Sequence, residues 1–138
     1  MPKRRSLDHI AIATEDLESL LAFYREALGI EATHTEDLDD RGIRVAFLPI
    51  GDTRIELIQP LRPDSEVSAF LAKRGGGIHH LAFRSDDVDA DVSELKERGV
   101  RLTSDSAAPG AHGCRVAFLH PKATGGTLIE ISTPPAEG

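Results

Sequence analysis

Two histidines and two glutamates recur at matching positions, because the chain contains one sequence pattern twice. His9 lies in Leu-Asp-His-Ile-Ala-Ile, and His80 lies 71 positions later in the similar segment Ile-His-His-Leu-Ala-Phe. Glu56 lies in Arg-Ile-Glu-Leu-Ile, and Glu130 lies 74 positions later in Leu-Ile-Glu-Ile-Ser. Each copy therefore supplies one imidazole and one carboxylate.

This donor set suits a divalent metal ion of the first transition row. Two imidazoles and two carboxylates fit Mn²⁺, Co²⁺, Ni²⁺, Fe²⁺ or Zn²⁺ better than Ca²⁺ or Mg²⁺. Four protein ligands in an octahedral shell leave two adjacent positions for water or a chelating substrate, which makes a Lewis-acid site that can polarise a carbonyl. A single such histidine is better explained as a hydrogen-bonded core residue, and a single glutamate as a solvated one. Two symmetry-matched pairs favour ligation.

The remaining histidines of the two copies lack this symmetry. His79 adjoins His80 but points to the opposite face of the strand, and its counterpart in the first copy is Asp8. We expect the two histidines without a titratable counterpart to be structural or exposed: His34 and His120.

Two predicted strands position the metal-ligating histidines. Leu7–Ala13 and Ile78–Arg84 are rich in apolar residues and are bounded by turn or capping residues. Side chains alternate between the faces of a strand, so each histidine shares a face with small alanines. The bulky residues of the other face are predicted to pack on a helix. This arrangement leaves space in front of each imidazole.

A helix is predicted after each of these strands. Thr14 is expected to cap the first helix and Gly29 to end it, while Ser85 caps the second and Gly99 ends it. Each helix carries an apolar stripe at helical spacing: Leu17, Leu20, Leu21, Tyr24 and Leu28 in the first, and Val88, Val92 and Leu95 in the second.

Three further strands complete each copy, so that the element order is βαβββ twice and the fold class is α+β. We expect a single domain over residues 1–138, with a first module at 6–60, a linker helix and glycine-rich segment at 61–77, and a second module at 78–134. A period near 70 residues fits a duplicated half-domain better than a solenoid repeat. The further strands are predicted at Glu31–His34, Ile43–Leu48 and Thr53–Ile58, then at Arg101–Thr103, Arg115–His120 and Thr127–Ser132.

Composition excludes several classes of partner. The net charge of −7 argues against nucleic acid or an anionic membrane as the main partner. No apolar run is long enough to span a bilayer, and the N-terminus lacks a secretory hydrophobic region. Cys114 is the single cysteine. A chain without an internal disulfide suits a reducing cytoplasm.

Six segments carry a family resemblance over nearly the full chain. The most specific features are the His80 segment, the His-Pro-Lys sequence at 120–122 and the Gly-Gly pair that precedes the last glutamate. The chain resembles the vicinal oxygen chelate superfamily and, within it, the methylmalonyl-CoA epimerase family. The segments are Leu7–Ala13, Glu56–Pro60, Pro63–Ser65, Gly77–Phe83, Phe118–Lys122 and Gly125–Glu130.

The resemblance implies a curved sheet that forms a cup around a metal ion. The positions of His9, Glu56, His80 and Glu130 match the family's metal ligands, although some members have glutamine where this chain has Glu56. Cobalt is the favoured ion, with Mn²⁺, Ni²⁺ or Zn²⁺ as alternatives. The family further implies an acyl-CoA substrate and a homodimer.

The implied reaction interconverts (R)- and (S)-methylmalonyl-CoA by removal and return of the C2 proton through an enolate. Inversion requires an acid/base group on each face of C2, and the resemblance makes Glu130 one candidate. Certain members carry a second glutamate where this chain has Val45, and valine cannot transfer a proton. We hypothesise that His112, in the loop Pro109–Gly113, or a water molecule serves the second face; a solvent-exposed loop histidine is the equally simple alternative.

Coenzyme A phosphates need cationic partners. Most surface cations of a protein are only solvated, and the sequence ranks none of the candidates above the others: Arg4, Arg5, Lys73, Arg74, Arg115 and Lys122.

Three other functions are compatible with the same superfamily. A glyoxalase I-type lactoylglutathione lyase would use the same ligand types but would need a glutathione site. An extradiol dioxygenase uses two histidines and one carboxylate on iron, and Glu56 would occupy a position that its substrates need. A non-catalytic drug-binding resistance protein commonly lacks the full ligand set.

Overall fold

The computed structural model describes residues 5–135, except for the side chain of His112. The order βαβββ occurs twice, which confirms the α+β class. None of the described helices has the length and apolarity needed to cross a membrane. The elements are β1 (Leu7–Ala13), α1 (Leu17–Leu28), β2 (His34–Leu38), β3 (Ile43–Ile50), β4 (Thr53–Pro60), α2 (Glu66–Arg74), β5 (Gly77–Arg84), α3 (Val88–Glu97), β6 (Ala108–Pro109), a 3-10 helix (Ala111–Gly113), β7 (Arg115–Leu119), α4 (Pro121–Thr124) and β8 (Ile129–Thr133).

The described chain forms two compact units. One is His9–His79, and the other combines residues 5–8 with residues 80–135. The backbone N–H of Arg84 donates to the carbonyl of Ser6 at 2.9 Å, and the Arg84 guanidinium donates to the buried Asp8 carboxylate at 3.2 Å. The residues that precede His9 are therefore held by the second repeat.

In the unit His9–His79, the strand order is β2-β3-β4-β1. Strand β4 is antiparallel to β3 and parallel to β1. Parallel neighbours need a long crossover connection, which here consists of α1 and the two intervening strands. This order places the first and last strands of the repeat side by side, and they are the strands that carry the predicted metal ligands.

Helix α1 packs on this sheet through its predicted stripe. Leu17 is buried with Ala46, Leu48 and Leu57, and the partly buried residues Leu20, Leu21 and Tyr24 pack against them. The prediction is wrong for Leu28, which is 54% exposed. It is the last residue of the helix, before Gly29 turns the chain in the left-handed conformation (φ 70°), and Ile30 packs against the cluster instead.

The predicted helix caps were wrong by two residues, in the same way in both repeats. Asp16 caps α1 by accepting from Ser19 N at 3.1 Å, and Asp87 caps α3 by accepting from Ala90 N at 3.2 Å. The predicted caps Thr14 and Ser85 accept from the backbone N–H of these aspartates, at 3.1 Å each. Each hydroxyl therefore orients the capping aspartate.

The second unit repeats the arrangement with the strand order β5-β8-β7-β6. Strand β8 is parallel to β5 and antiparallel to β7. The predicted stripe of α3 is confirmed, because Val88 and Val92 are buried with residues of β7 and β8 and Leu95 packs against them.

One predicted strand in each repeat lies in the wrong place. Strand β2 begins at His34, where the predicted strand ended, since the chain from Gly29 to Thr33 is used to reach β3 from the end of α1. Arg101–Thr103 forms only an isolated bridge, between Leu102 and Leu119, and the two-residue strand Ala108–Pro109 pairs with β7 instead. A proline donates no backbone hydrogen bond and is tolerated at such an edge.

His120 has a structural role that makes a pH prediction. It caps α4, with its Nδ1 accepting from Lys122 N at 3.1 Å. Burial, with additional repulsion from Arg101 and Lys122, lowers the pKa of His120. As the pH falls, the His120 imidazole therefore binds a proton in the unfolded chain before it does so in the folded chain. The stability that neutral His120 contributes is present above a pH of about 6.5 and is lost as the pH falls below it.

We expect His120→Ala to lower the melting temperature at pH 7.5 by a few degrees, because the cap is lost. His120→Asn keeps a capping oxygen without a titratable group and serves as the matched control. Melting curves from pH 7.5 to pH 5 should show the native chain approaching the alanine variant while the asparagine variant keeps its difference. Parallel curves for all three proteins would contradict this role.

Candidate metal site

Strand register places one histidine beside one glutamate in the first repeat. Glu56 on β4 lies opposite Ala11 on β1, and His9 is two residues before Ala11, on the same face of β1. The His9 Nδ1 atom is 3.2 Å from Glu56 Oε2, and each side chain is 5% exposed. The predicted pairing of His9 with Glu56 is therefore present within this unit.

The second repeat forms the same pair with the same register. Glu130 on β8 lies opposite Ala82 on β5, and His80 is two residues before Ala82. The His80 Nε2 atom is 3.7 Å from Glu130 Oε1, and the two side chains are 5% and 4% exposed. Each alanine is fully buried, so its small side chain keeps the space between the strands open to the two larger donors.

An aromatic ring on the hairpin partner borders each glutamate. Phe47 lies opposite Glu56 across the β3–β4 hairpin, and Phe118 lies opposite Glu130 across the β7–β8 hairpin. The Phe118 ring packs edge-on against the His80 ring, with 5.4 Å between centroids. These rings exclude water from one side of each pair, which strengthens any electrostatic interaction made there.

The geometry of both pairs fits a divalent metal ion. Nitrogen and oxygen ligands about 2.1 Å from one ion stand about 3.0 to 3.4 Å apart, depending on the coordination angle. The separation of 3.2 Å in the first pair is within this range, and 3.7 Å in the second pair needs a small side-chain rotation. The donor chemistry of both pairs, one imidazole and one carboxylate each, also suits a divalent ion of the first transition row.

Arg54 contacts both residues of the first pair, although its sequence position gave no prediction for it. Its Nη2 and Nε atoms lie 2.7 and 2.8 Å from Glu56 Oε2, and Nη2 is 3.4 Å from His9 Nδ1. The sequence feature that could have identified Arg54 is its position two residues before Glu56, because this spacing puts both side chains on one face of β4. The corresponding residue of the second repeat is Leu128.

Two histidines that were not predicted to be ligands, and Gln59 near Glu56, have other packing roles. The His79 ring packs edge-on against Phe70 of α2 at 5.0 Å, and burial lowers the pKa of His79. Gln59, three residues after Glu56 and thus on the opposite face, accepts from Leu17 N at 2.7 Å. His34 stacks on Phe47, with ring centroids 5.4 Å apart.

The predicted catalytic loop contains a short 3-10 helix. His112 lies in the 3-10 helix Ala111–Gly113, which is closed by a 2.8 Å hydrogen bond from Gly110 N to the Cys114 carbonyl. A Cβ atom at Gly110 would lie 2.7 Å from the Val116 side chain, so this close approach requires glycine. The side chain of His112 lies outside the described part of the structure, and its role stays a prediction.

Two of the candidate phosphate-binding cations are paired with carboxylates. Arg115 binds Asp89 through two hydrogen bonds of 3.0 Å, which lowers the pKa of the Asp89 carboxyl. Arg5 lies 3.1 Å from the buried Asp91. Pairing leaves these two cations less suited to phosphate than Lys73, Arg74 and Lys122. Arg4 lies outside the described residues.

A family comparison matches most of the chain. Residues 8–118 match the model described as the glyoxalase/bleomycin resistance protein/dioxygenase superfamily.

Relatives with similar sequences come from mammals and bacteria. A mouse protein named mitochondrial methylmalonyl-CoA epimerase is 43% identical over 126 residues, which cover 91% of this chain and 71% of that protein. A Cereibacter sphaeroides protein named ethylmalonyl-CoA/methylmalonyl-CoA epimerase is 44% identical over 127 residues, which cover 91% of this chain and 95% of that protein.

Solved structures with similar folds include complexes with acyl-CoA ligands. A methylmalonyl-CoA epimerase in complex with methylmalonyl-CoA and NH4+ has a TM-score of 0.93 and 41% identity, and the match covers 97% of both chains. A Streptomyces coelicolor methylmalonyl-CoA epimerase variant in complex with 2-nitronate-propionyl-CoA has a TM-score of 0.92 and 42% identity, with 95% of both chains covered.

Substitutions in either pair should weaken metal binding. We expect His9→Asn and His80→Asn each to lower the affinity for cobalt at least about tenfold, because each removes an imidazole ligand. Isothermal titration of the apoprotein with cobalt measures the effect. The control is His34→Asn, which removes an exposed imidazole from β2. Equal affinity in the native chain and both ligand variants would remove these histidines from the site.

Proposed function

The chain belongs to the glyoxalase/bleomycin resistance protein/dioxygenase superfamily, and we propose that it epimerises (R)- and (S)-methylmalonyl-CoA at C2. The observation that carries the proposal is the pair of buried His–Glu sites, formed with the same register in each repeat. The relatives named as epimerases support the substrate, with 43% and 44% identity.

We infer that His9, Glu56, His80 and Glu130 hold one divalent ion, with Co²⁺ favoured and Mn²⁺, Ni²⁺ or Zn²⁺ as alternatives. The support is the equivalence of the two pairs together with the donor chemistry, which suits these ions. When bound, the ion supplies Lewis-acid stabilisation of negative charge on the substrate's thioester and carboxylate oxygens.

The protein's own contribution begins with Glu130. We propose that its carboxylate removes the C2 proton from one face of one isomer. When the opposite isomer is the substrate, Glu130 donates a proton to that same face. Glu130 is 3% exposed, and a carboxylate screened from water is a stronger base than a solvated one. Phe118, its cross-strand neighbour, restricts water around the same carboxylate.

The second face requires another proton carrier. Val45 is 1% exposed and shares a face of β3 with Phe47, two residues away, so it adds an apolar wall beside the first pair. An apolar wall cannot exchange a proton. We propose that His112 supplies the proton on the second face, with a water molecule as the alternative carrier.

We propose an assembly and a location to accompany this activity. The chain acts as a single domain of two modules, at 6–60 and 78–134, joined by the linker at 61–77, and it pairs as a homodimer as the family resemblance implies. A cytoplasmic location is supported by the single cysteine, Cys114, which is buried and has no cysteine in the chain with which to form a disulfide.

A glyoxalase I-type lyase is the second candidate, because its chemistry also needs a metal and a proton-transferring carboxylate. The relatives named as epimerases favour the first proposal. The complete set of two histidines and two glutamates also disfavours a non-catalytic drug-binding protein, which does not need a base at the site.

The direct test incubates the cobalt-loaded protein with (R)-methylmalonyl-CoA in D2O. We expect deuterium at C2, measured by mass spectrometry, together with formation of the (S) isomer, measured by a coupled assay that is specific for one isomer. The methylglyoxal–glutathione adduct is the control substrate. Conversion of the adduct without any exchange at C2 of methylmalonyl-CoA would replace the epimerase proposal with the lyase.

Variants of the two proposed proton carriers should affect opposite faces of C2. Glu130→Gln removes the proposed general base. We expect it to reduce deuterium exchange at C2, for the isomer whose C2 proton faces Glu130, by about 100-fold or more at saturating cobalt. His112→Ala should retain exchange on the Glu130 face and lose inversion. Unchanged inversion in His112→Ala would assign the second face to water.

A further inference from the structure

Arg54 binds the carboxylate that the first metal-binding pair needs. Two of its nitrogens lie within 2.8 Å of Glu56 Oε2, the oxygen that faces His9. The Nη2 atom also lies 3.4 Å from His9 Nδ1. A guanidinium can only donate hydrogen bonds, so Arg54 and a metal ion compete for the lone pairs of Glu56 Oε2.

The Arg54 side chain is held in this position by its surroundings. Its guanidinium carbon lies 5.7 Å from the centre of the Phe47 ring, a distance at which a cation is attracted to the ring face. The side chain is 23% exposed, so the charge is only partly screened by water. A partly buried guanidinium therefore acts on Glu56 at close range.

The second repeat has no arginine at the position that corresponds to Arg54. Leu128 occupies the corresponding position before Glu130, so the second pair lacks an equivalent charge on its own strand. The two pairs share register and burial, and in the first pair Arg54 adds a positive charge beside Glu56.

We propose that Arg54 is a positioning residue that sets the charge of the metal site through Glu56. It weakens the hold of the site on a divalent cation, because guanidinium and metal compete for one carboxylate and repel each other. It also leaves the loaded site one unit more positive. The second effect rests on the proposed function, because loss of the C2 proton adds a negative charge to the substrate, and a more positive site stabilises that anion.

The two effects have opposite signs, which separates them from a simple loss of structure. A disrupted site would bind metal less tightly and also turn over more slowly. Loss of the Arg54 charge with the fold intact should bind metal more tightly and turn over more slowly.

The experiment compares Arg54→Met with Arg54→Lys, which keeps the charge. The control is Arg44→Met, which removes the same charge from β3, where Arg44 pairs with Asp37; its odd spacing from Phe47 places it on the opposite face. Cobalt affinity is measured by competition with a chelator, and kcat by the (R)-to-(S) assay. Circular dichroism confirms folding, and Arg54→Gln replaces the methionine variant if that variant fails to fold.

We expect Arg54→Met to bind cobalt at least about tenfold more tightly. A dication and a guanidinium a few ångströms apart repel each other, and even at an effective dielectric constant near 20 this repulsion energy exceeds the free energy of a tenfold change in affinity. We expect kcat at saturating cobalt to fall about tenfold. Arg54→Lys, which keeps the charge, should lie between Arg54→Met and the native protein in both measurements, and Arg44→Met should stay close to the native protein.

Equal or weaker cobalt binding by Arg54→Met would overturn the inference. Tighter binding with unchanged kcat would overturn its catalytic half. The metal measurement uses no substrate, so it decides the role of Arg54 in metal binding even for a protein without epimerase activity. Absence of turnover in the native chain would instead count against the proposed function.

Discussion

The pairing of the first strand of each repeat with its last strand is the constraint on which the site depends. This parallel contact sets Glu56 opposite Ala11 and Glu130 opposite Ala82. Because side chains alternate along a strand, the histidine two positions before each alanine lies on the glutamate's face. A shift of register by one residue would move the glutamate to the helix side and separate the two donors. The hydrophobic packing of α1 and α3 on the sheets resists such a shift.

Duplication supplied two similar pairs, and divergence has given them different electrostatic surroundings. Arg54 compensates Glu56, whereas an apolar Leu128 precedes Glu130. The equivalent aromatic neighbours, Phe47 and Phe118, show that packing around the pairs changed less than charge.

Local sequence signals were most reliable where hydrophobic pattern and hydrogen bonding agree. Strand Leu7–Ala13 was predicted with its observed bounds, and the apolar stripes of both helices were largely correct. The caps were misplaced because Thr14 and Asp16 are both good capping residues, and the choice depends on which backbone N–H each can reach. The short edge strand at Ala108–Pro109 carries no periodic signal, since two residues are too few to show alternation.

The sequence by itself determined the repeat, the fold class and the four residues that form the two His–Glu pairs, because matched polar residues recur at offsets of 71 and 74 positions in the linear order. Tertiary structure decided which atoms face each other. Only folding brought Arg54 against both His9 and Glu56, and only the ion pair with Asp89 removed Arg115 from the better phosphate-binding candidates. The physical reason is that charge compensation acts over a few ångströms between side chains from different strands, and linear spacing does not encode those distances.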